Sequence, residues 1–181
     1  MKSNHDLIKV LSREIVFEKG PLKVADCKLQ IGEGAVISRQ ILEHPGSVVI
    51  VPKIDAEHYY LIRQHRYAVN DYLWEVPAGG VEKGESLEDA ARRELAEEIG
   101  FRPDKIKKIT SIFPSPGVSG EEMHLFLGED LIFQPLEGDE DEAIEVQSFS
   151  ADEIMMKIER GEIKDAKTIV AFYYLKINNM L

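Results

Sequence analysis

The feature that most constrains the fold is an amphipathic segment at residues 86–99. Ser86 before it is a favourable N-cap residue, and Gly100 after it is a favourable C-terminal stop. Its apolar residues recur every four positions: Leu87, Ala91, Leu95 and Ile99. This spacing predicts a helix that buries one stripe against other elements of a core.

Short apolar stretches on both sides of this segment predict the rest of the fold. We expect strands at 14–17, 22–29, 35–37, 47–52, 58–63, 106–113, 123–127 and 144–149, and helices at 151–160 and 165–177. The unbroken apolar run in 47–52 predicts a central strand buried on both faces, paired with 58–63 across a charged turn. Strands, helix, strands and helices in this order predict an α+β fold with a mixed sheet between helices.

Length and charge narrow the classes of function. A chain of 181 residues is sufficient for one domain with at most a short arm. Its 22 basic and 33 acidic side chains give a formal net charge of −11, which opposes nucleic acid or an anionic membrane as the main partner. Cys27 is the single cysteine, and charged residues interrupt the apolar positions of the first twenty residues. We therefore expect a cytoplasmic protein with no membrane role.

Three glutamates share one side of the predicted helix. Glu94, Glu97 and Glu98 stand at i, i+3 and i+4, within an arc of roughly 100°. Like charges repel each other, and the C-terminal end of a helix disfavours anions, so the group calls for a cation such as Mg²⁺ or Mn²⁺. Arg93 stands four residues before Glu97 and can hold that carboxylate in place. The alternative is an acidic helix face exposed to solvent.

The spacing around these glutamates resembles a known motif. Gly79, five residues, Glu85, seven residues and then Arg93-Glu94-Leu95-Ala96-Glu97-Glu98-Ile99-Gly100-Phe101 resemble the Nudix box over 23 residues. The resemblance implies a Nudix fold, an α/β/α sandwich around a mixed sheet with an N-terminal β arm. It also implies hydrolysis of a nucleoside diphosphate linked to another group.

The same resemblance implies roles for residues in and near the box. It makes metal ligands of the three glutamates and the Ala78 carbonyl: Ala78, Glu94, Glu97 and Glu98. It gives Arg93 the role of orienting an acid and Glu85 that of supporting the loop. The implied cofactor is Mg²⁺, with Mn²⁺ as a substitute, and Glu98 counts among the residues that carry catalysis.

Segments outside the box resemble one branch of the family, the ADP-ribose and nucleoside diphosphate sugar pyrophosphatases. The matching segments are 61–67, 74–79 and 114–117. The branch implies a nucleotide-sugar substrate, ADP-ribose first and GDP-mannose second. It makes Arg66 a candidate phosphate contact, with Arg63 a weaker one that is equally consistent with a structural role. Pro116 then shapes the sugar pocket or only a rigid turn, and Glu121 can bind sugar hydroxyls.

A general base is expected outside the helix, because carboxylates engaged by metal accept protons poorly. The acidic segment 138–142 offers Glu140 first and Glu142 second. Residues 1–42 resemble the branch only loosely, and we expect them to form an arm that makes a homodimer, with the Nudix domain at 43–181. The alternative functions are a nucleoside triphosphate pyrophosphatase and a noncatalytic nucleotide-sensing module.

Overall fold

The computed structural model describes residues 7–20, 22–138 and 143–181. The chain divides into two compact units, one made of Met1–Gly46 with Ser115–Glu122 and the other of Ser47–Pro114 with Met123–Leu181. None of the helices in the described ranges is both long enough and apolar enough to cross a membrane.

The first unit is an antiparallel sheet of three strands. Its strands are β1 (Ile8–Lys19), β2 (Leu22–Ile31) and β3 (Val36–Glu43), in the order β1-β2-β3. The three strands expected in this region are confirmed, each longer than predicted. Segment 115–122 joins the unit through a bridge between Leu42 and Ser119. Strand β1 exposes several apolar side chains, among them Val10, Ile15 and Phe17.

The described residues of the second unit form seven strands and three helices. They are β4 (Ser47–Pro52), β5 (His58–Arg66), β6 (Asp71–Glu75), β7 (Ala78–Gly80), α1 (Leu87–Ile99), β8 (Phe101–Ile112), β9 (Met123–Phe133), β10 (Glu145–Ser150), α2 (Ala151–Glu159) and α3 (Ala166–Ile177). One sheet has the order β7-β4-β9-β8 and is mixed, because β4 and β9 run parallel. The other is antiparallel, in the order β10-β5-β6. The predicted α+β class with a mixed sheet is confirmed.

Strand β4 is central and buried along its whole length, as its apolar run predicted. The predicted pairing of 47–52 with 58–63 is wrong. Strands β4 and β5 belong to different sheets, and an isolated bridge between Lys53 and Tyr59 connects them. The neighbours of β4 are β9, far along the chain, and the short glycine-containing β7. Local pattern does not specify such partners, and glycine has a low strand propensity.

Two apolar clusters fix the helices on the sheets. The predicted stripe of α1 is confirmed: Ala91, Leu95 and Ile99 pack with β4 and β5 side chains, and Leu87 lies at the border of the cluster. Ser86 caps α1 by accepting a hydrogen bond from the Asp89 N–H, and Gly100 ends it with φ of 77°. The other cluster packs α2 and α3 against the sheets around Tyr59 and Phe172. Helix α1 is thus held rigidly on the central strand.

The Tyr59 hydroxyl is buried and finds no hydrogen-bond partner among the described residues. Burial raises the pKa of Tyr59 to about 12. The ordinary tyrosine pKa is about 10, so between these values the unfolded chain loses the proton while the folded chain keeps it. The contribution of Tyr59 to stability is therefore complete below pH 10 and is lost as the pH rises toward 12.

Replacing Tyr59 by Phe should therefore raise the free energy of unfolding at pH 7 by about 1 kcal/mol, because it removes an unsatisfied buried hydroxyl. The gain should grow above pH 10, where only the wild-type chain carries the titrating group. Urea unfolding at pH 7 and pH 11 measures both effects, and Tyr67→Phe at an exposed position is the control. A Tyr59→Phe protein less stable than wild type at both pH values would contradict the assignment.

Candidate active site

A cavity of about 440 Å³ lies between the C-terminal half of α1 and strand β7. Its lining is backbone on one side and carboxylates on the other: Ala78, Gly79, Gly80, Glu94, Glu97, Glu98, Gly138 and Ile144. The four metal ligands that the family resemblance implies therefore all line one cavity. Their shared cavity is a consequence of helical spacing on α1 and of the pairing of β7 with β4.

Arg93 lies at the centre of the acidic group. Its Nη1 donates to Glu94 Oε1 and Glu97 Oε2, both at 2.8 Å, so the contact with Glu97 expected from the spacing is present. Its Nε and Nη2 donate to the two oxygens of Glu85 at 3.0 Å. Nη2 also donates to the Gly80 carbonyl at 3.0 Å. One guanidinium therefore orients two helix carboxylates and ties α1 to the loop before it.

The backbone at β7 approaches the glutamates closely. The Ala78 N–H donates to Glu98 Oε2 at 3.1 Å. A Cβ on Gly79 would lie 2.0–2.2 Å from the carboxyl atoms of Glu94, so this position accommodates only glycine unless Glu94 moves. On its other side, the segment is held because the Ile50 N–H donates to the Pro77 carbonyl at 2.9 Å. Strand β4 therefore sets the distance between this backbone and α1.

The charges of the group favour a cation. The hydrogen bonds from Arg93 hold the pKa of Glu85 below its usual range. In turn, the carboxylates of Glu85, Glu94 and Glu97 raise the pKa of Arg93. Three carboxylates, those of Glu85, Glu94 and Glu97, nevertheless share this one guanidinium, and Glu98 adds a fourth negative charge in the last turn of α1, at the negative end of the helix dipole. This excess of negative charge destabilises the group unless further positive charge is bound.

The donor set fits a hard divalent cation. Carboxylate and carbonyl oxygens are the ligands that Mg²⁺ and Mn²⁺ prefer, and the cavity offers both kinds. Within the described ranges no three acidic, histidine or cysteine side chains already stand as a ready ligand cluster. The reason lies in the contacts above, because Arg93 engages Glu94 and Glu97 and the Ala78 amide engages Glu98.

Arg66 binds a carboxylate that the sequence did not point to. Its Nε and Nη2 donate to Glu75 at 2.8 and 2.7 Å, and Glu75 is only 1% exposed. Lys167 of α3 donates to the same carboxylate. Burial alone would raise the pKa of Glu75, but the bonds from Arg66 and the charge of Lys167 lower it overall. A lysine in the first turn of a largely apolar helix is the sequence signal for this network.

The other described substrate candidates are not among the residues that line the cavity. Arg63 forms an ion pair with Glu145 at 3.6 Å, and its guanidinium lies over the Tyr72 ring at 5.2 Å. Pro116 and Glu121 belong to the first unit, where the Glu121 N–H donates to Ser119 Oγ. Glu140 and Glu142 lie outside the described residues. Gly138 and Ile144, the lining residues on either side of that segment, both border the cavity.

Comparisons with known proteins show the family of the chain. The model of the NUDIX domain matches residues 43–172. The chain is 34% identical over 175 residues to an ADP-ribose pyrophosphatase of Bacillus subtilis (strain 168), covering 96% of this chain and 95% of that protein. It is 29% identical to a methanol dehydrogenase activator of Bacillus methanolicus, with the same coverage of both chains.

A solved structure gives the fold independently of close sequence similarity. The crystal structure of an ADP compounds hydrolase superposes with a TM-score of 0.83 at 24% identity, covering 96% of this chain and 97% of that one. The family model also spans the glutamate helix, the glycine-rich backbone opposite it and the cavity between them. The expected fold is confirmed, and the chain belongs to the Nudix family of hydrolases.

Proposed function

We propose that this Nudix pyrophosphohydrolase is an ADP-ribose pyrophosphatase that depends on Mg²⁺, for which Mn²⁺ can substitute. The observation that carries the proposal is the convergence of Glu94, Glu97 and Glu98 with the Ala78 backbone on one cavity. Similarity to an ADP-ribose pyrophosphatase over 96% of the chain supports the choice of substrate. GDP-mannose is the second substrate to test.

In this proposal the glutamates and the Ala78 carbonyl hold the cation, and Arg93 keeps Glu94 and Glu97 in position. A bound divalent cation offsets the charge of the pyrophosphate and lowers the pKa of the attacking water. Water attacks one phosphorus, the bridging P–O bond breaks, and the leaving phosphate takes the electron pair. The products are AMP and ribose 5-phosphate.

The remaining roles follow the same proposal. Glu140 accepts the proton of the attacking water, with Glu142 as the second choice, and both belong to the segment between the cavity residues Gly138 and Ile144. Arg66 contacts a substrate phosphate through the edge of its guanidinium that faces away from Glu75. Arg63, Pro116 and Glu121 stay as candidates for binding the rest of the nucleotide sugar.

A substrate panel tests the proposal. The purified chain is incubated with Mg²⁺ and ADP-ribose, GDP-mannose, UDP-glucose or nucleoside triphosphates, and the products are separated by chromatography. The proposal predicts fastest turnover of ADP-ribose, to a monophosphate and a sugar phosphate. Pyrophosphate released from triphosphates would instead favour a triphosphate pyrophosphatase. Nucleotide binding without any turnover would favour a sensing module.

We propose in addition that residues 1–42 form the arm of a homodimer whose partner completes the substrate site. The support is the set of apolar side chains on β1 that solvent contacts, such as Val10, Val16 and Phe17, which are 59%, 58% and 47% exposed. An exposed outer strand of this kind invites pairing or packing with another chain.

Deleting residues 1–42 should therefore yield a monomer with a raised KM for the nucleotide sugar, because a dimer surface and part of the site are lost together. Light scattering measures the mass, and steady-state kinetics measure the KM. The full chain at the same concentration is the control. A truncated protein that stays dimeric with unchanged kinetics would rule out this role of the arm.

A further inference from the structure

Lys167 occupies a position that two physical effects disfavour. Its side chain is 7% exposed, and it lies in the first turn of α3, two residues after the N-cap residue Asp165. Burial penalises a charged amine, and the positive end of the helix dipole repels a cation in the first turn. The protein therefore maintains this cation for a reason other than helix stability.

The partners of Lys167 form a balanced group of four charges. Its Nζ donates to Glu75 and lies 3.0 Å from Asp165 Oδ1. Arg66 donates two hydrogen bonds to the same Glu75 carboxylate. Arg66 alone would neutralise Glu75, and well-packed apolar residues often stabilise a core better than buried ion networks do. Neutralising Glu75 therefore does not by itself account for Lys167, which points to a role in placing its partners.

The backbone that follows Glu75 connects these partners to the cavity. Glu75 ends β6, and the next residue is bound to α3, because the Val76 N–H donates to Thr168 Oγ1 at 2.9 Å. Thr168 is fixed in turn by the N-cap, since its Oγ1 donates to Asp165 at 2.6 Å. Two residues further along, the Ala78 N–H donates to Glu98. The segment 75–78 is thus held between the first turn of α3 and the C-terminal end of α1.

We propose that Lys167 is a positioning residue that acts through Glu75 to set both the Arg66 guanidinium and the backbone from Val76 to Ala78 at the cavity. Without Lys167, the Glu75 carboxylate is held by Arg66 alone and no longer links the end of β6 to α3. The consequence for turnover rests on the proposed function. The consequence for the backbone does not.

Amide hydrogen exchange tests the backbone consequence directly. In Lys167→Met the amides of Val76 and Ala78 should exchange about tenfold faster than in wild type, while the Leu175 amide in the same helix stays unchanged. Lys176→Met, at an exposed position of α3, is the matched control and should change none of the three. If Lys167→Met does not fold, Lys167→Gln provides the same comparison with a neutral donor. Unchanged exchange at Val76 and Ala78 would overturn the proposal.

Kinetics test the consequence for the reaction. Lys167→Met should lower kcat/KM for ADP-ribose by about tenfold, and Lys167→Arg should recover most of the loss because it restores a charged donor to Glu75. When Lys167→Met is added to Arg66→Met, the further loss of kcat/KM should be smaller than the loss that Lys167→Met causes in the wild-type protein. Both side chains act through one carboxylate. Additive losses, or no rescue by Arg, would overturn the positioning role. If the wild-type protein hydrolyses no nucleotide, the proposed function is contradicted. If Lys167→Met still exchanges its Val76 and Ala78 amides faster than wild type, the positioning of the backbone is supported all the same.

Discussion

Replacing Glu98 by Gln is expected to lower kcat for ADP-ribose by about 100-fold or more while the protein stays folded. Glu98 lines the cavity and accepts a hydrogen bond from the Ala78 N–H. Glutamine has nearly the same size, and its amide oxygen can accept that bond, so the backbone stays in place. The lost feature is the negative charge, which a divalent cation requires from its ligand.

Two measurements make this result specific to the site. Circular dichroism and the thermal midpoint establish that Glu98→Gln is folded. Glu88→Gln is the matched control, because Glu88 lies on the same helix with its side chain 64% exposed, forms an ion pair with Arg92 and is not among the residues that line the cavity. Turnover of Glu98→Gln within about tenfold of wild type would contradict a role in holding the cation.

Replacing Gly79 by Ala is expected to abolish most activity through a single methyl group. The added Cβ would lie 2.0 Å from the carboxyl carbon of Glu94. That carboxyl is the end of a flexible side chain, so it can swing away and the fold can persist. Glu94 would then lose its bond to Arg93 and its place at the cavity. We expect kcat to fall by about 100-fold with a small change in thermal midpoint.

The neighbouring glycine provides the comparison. A Cβ on Gly80 would meet no atom within 4 Å, so Gly80→Ala adds the same methyl group without the collision. Gly80→Ala should keep at least about tenfold more activity than Gly79→Ala. Equal losses in the two variants would mean that the collision with Glu94 is not the cause. Metal titrations followed by activity should also show a weaker apparent affinity in Gly79→Ala alone.

Local signals in the sequence were sufficient to predict α1 and the central strand β4, but not the short strand β7 that lines the cavity opposite α1. The caps and apolar period of α1 depend on residues within a few positions of each other, and the structure confirms both. The same holds for the contact of Arg93 with Glu97 four residues later. The continuous apolar run of β4 correctly predicted burial on both faces. These features follow from short-range geometry, which a sequence records directly.

Partners distant in sequence were not predictable in the same way. The choice of β7 and β9 as neighbours of β4, instead of β5, depends on packing across the whole unit. The Glu75 carboxylate and Lys167 are 92 residues apart, and no local period marks a buried ion pair. Arg66 was predicted as a phosphate contact from its segment alone, whereas its bidentate bond to Glu75 depends on the fold of β6. Long-range packing and long-range ion pairs thus account for what the sequence did not indicate.

The most direct test of the central claim is the stoichiometry of ADP-ribose hydrolysis. The purified chain is mixed with ADP-ribose and Mg²⁺, and AMP and ribose 5-phosphate are quantified over time, with parallel reactions in EDTA and with Glu98→Gln. We predict equal amounts of the two products with Mg²⁺, and almost none in either control. No AMP with Mg²⁺ or Mn²⁺, or equal turnover in EDTA, would contradict a metal-dependent pyrophosphatase at this cavity.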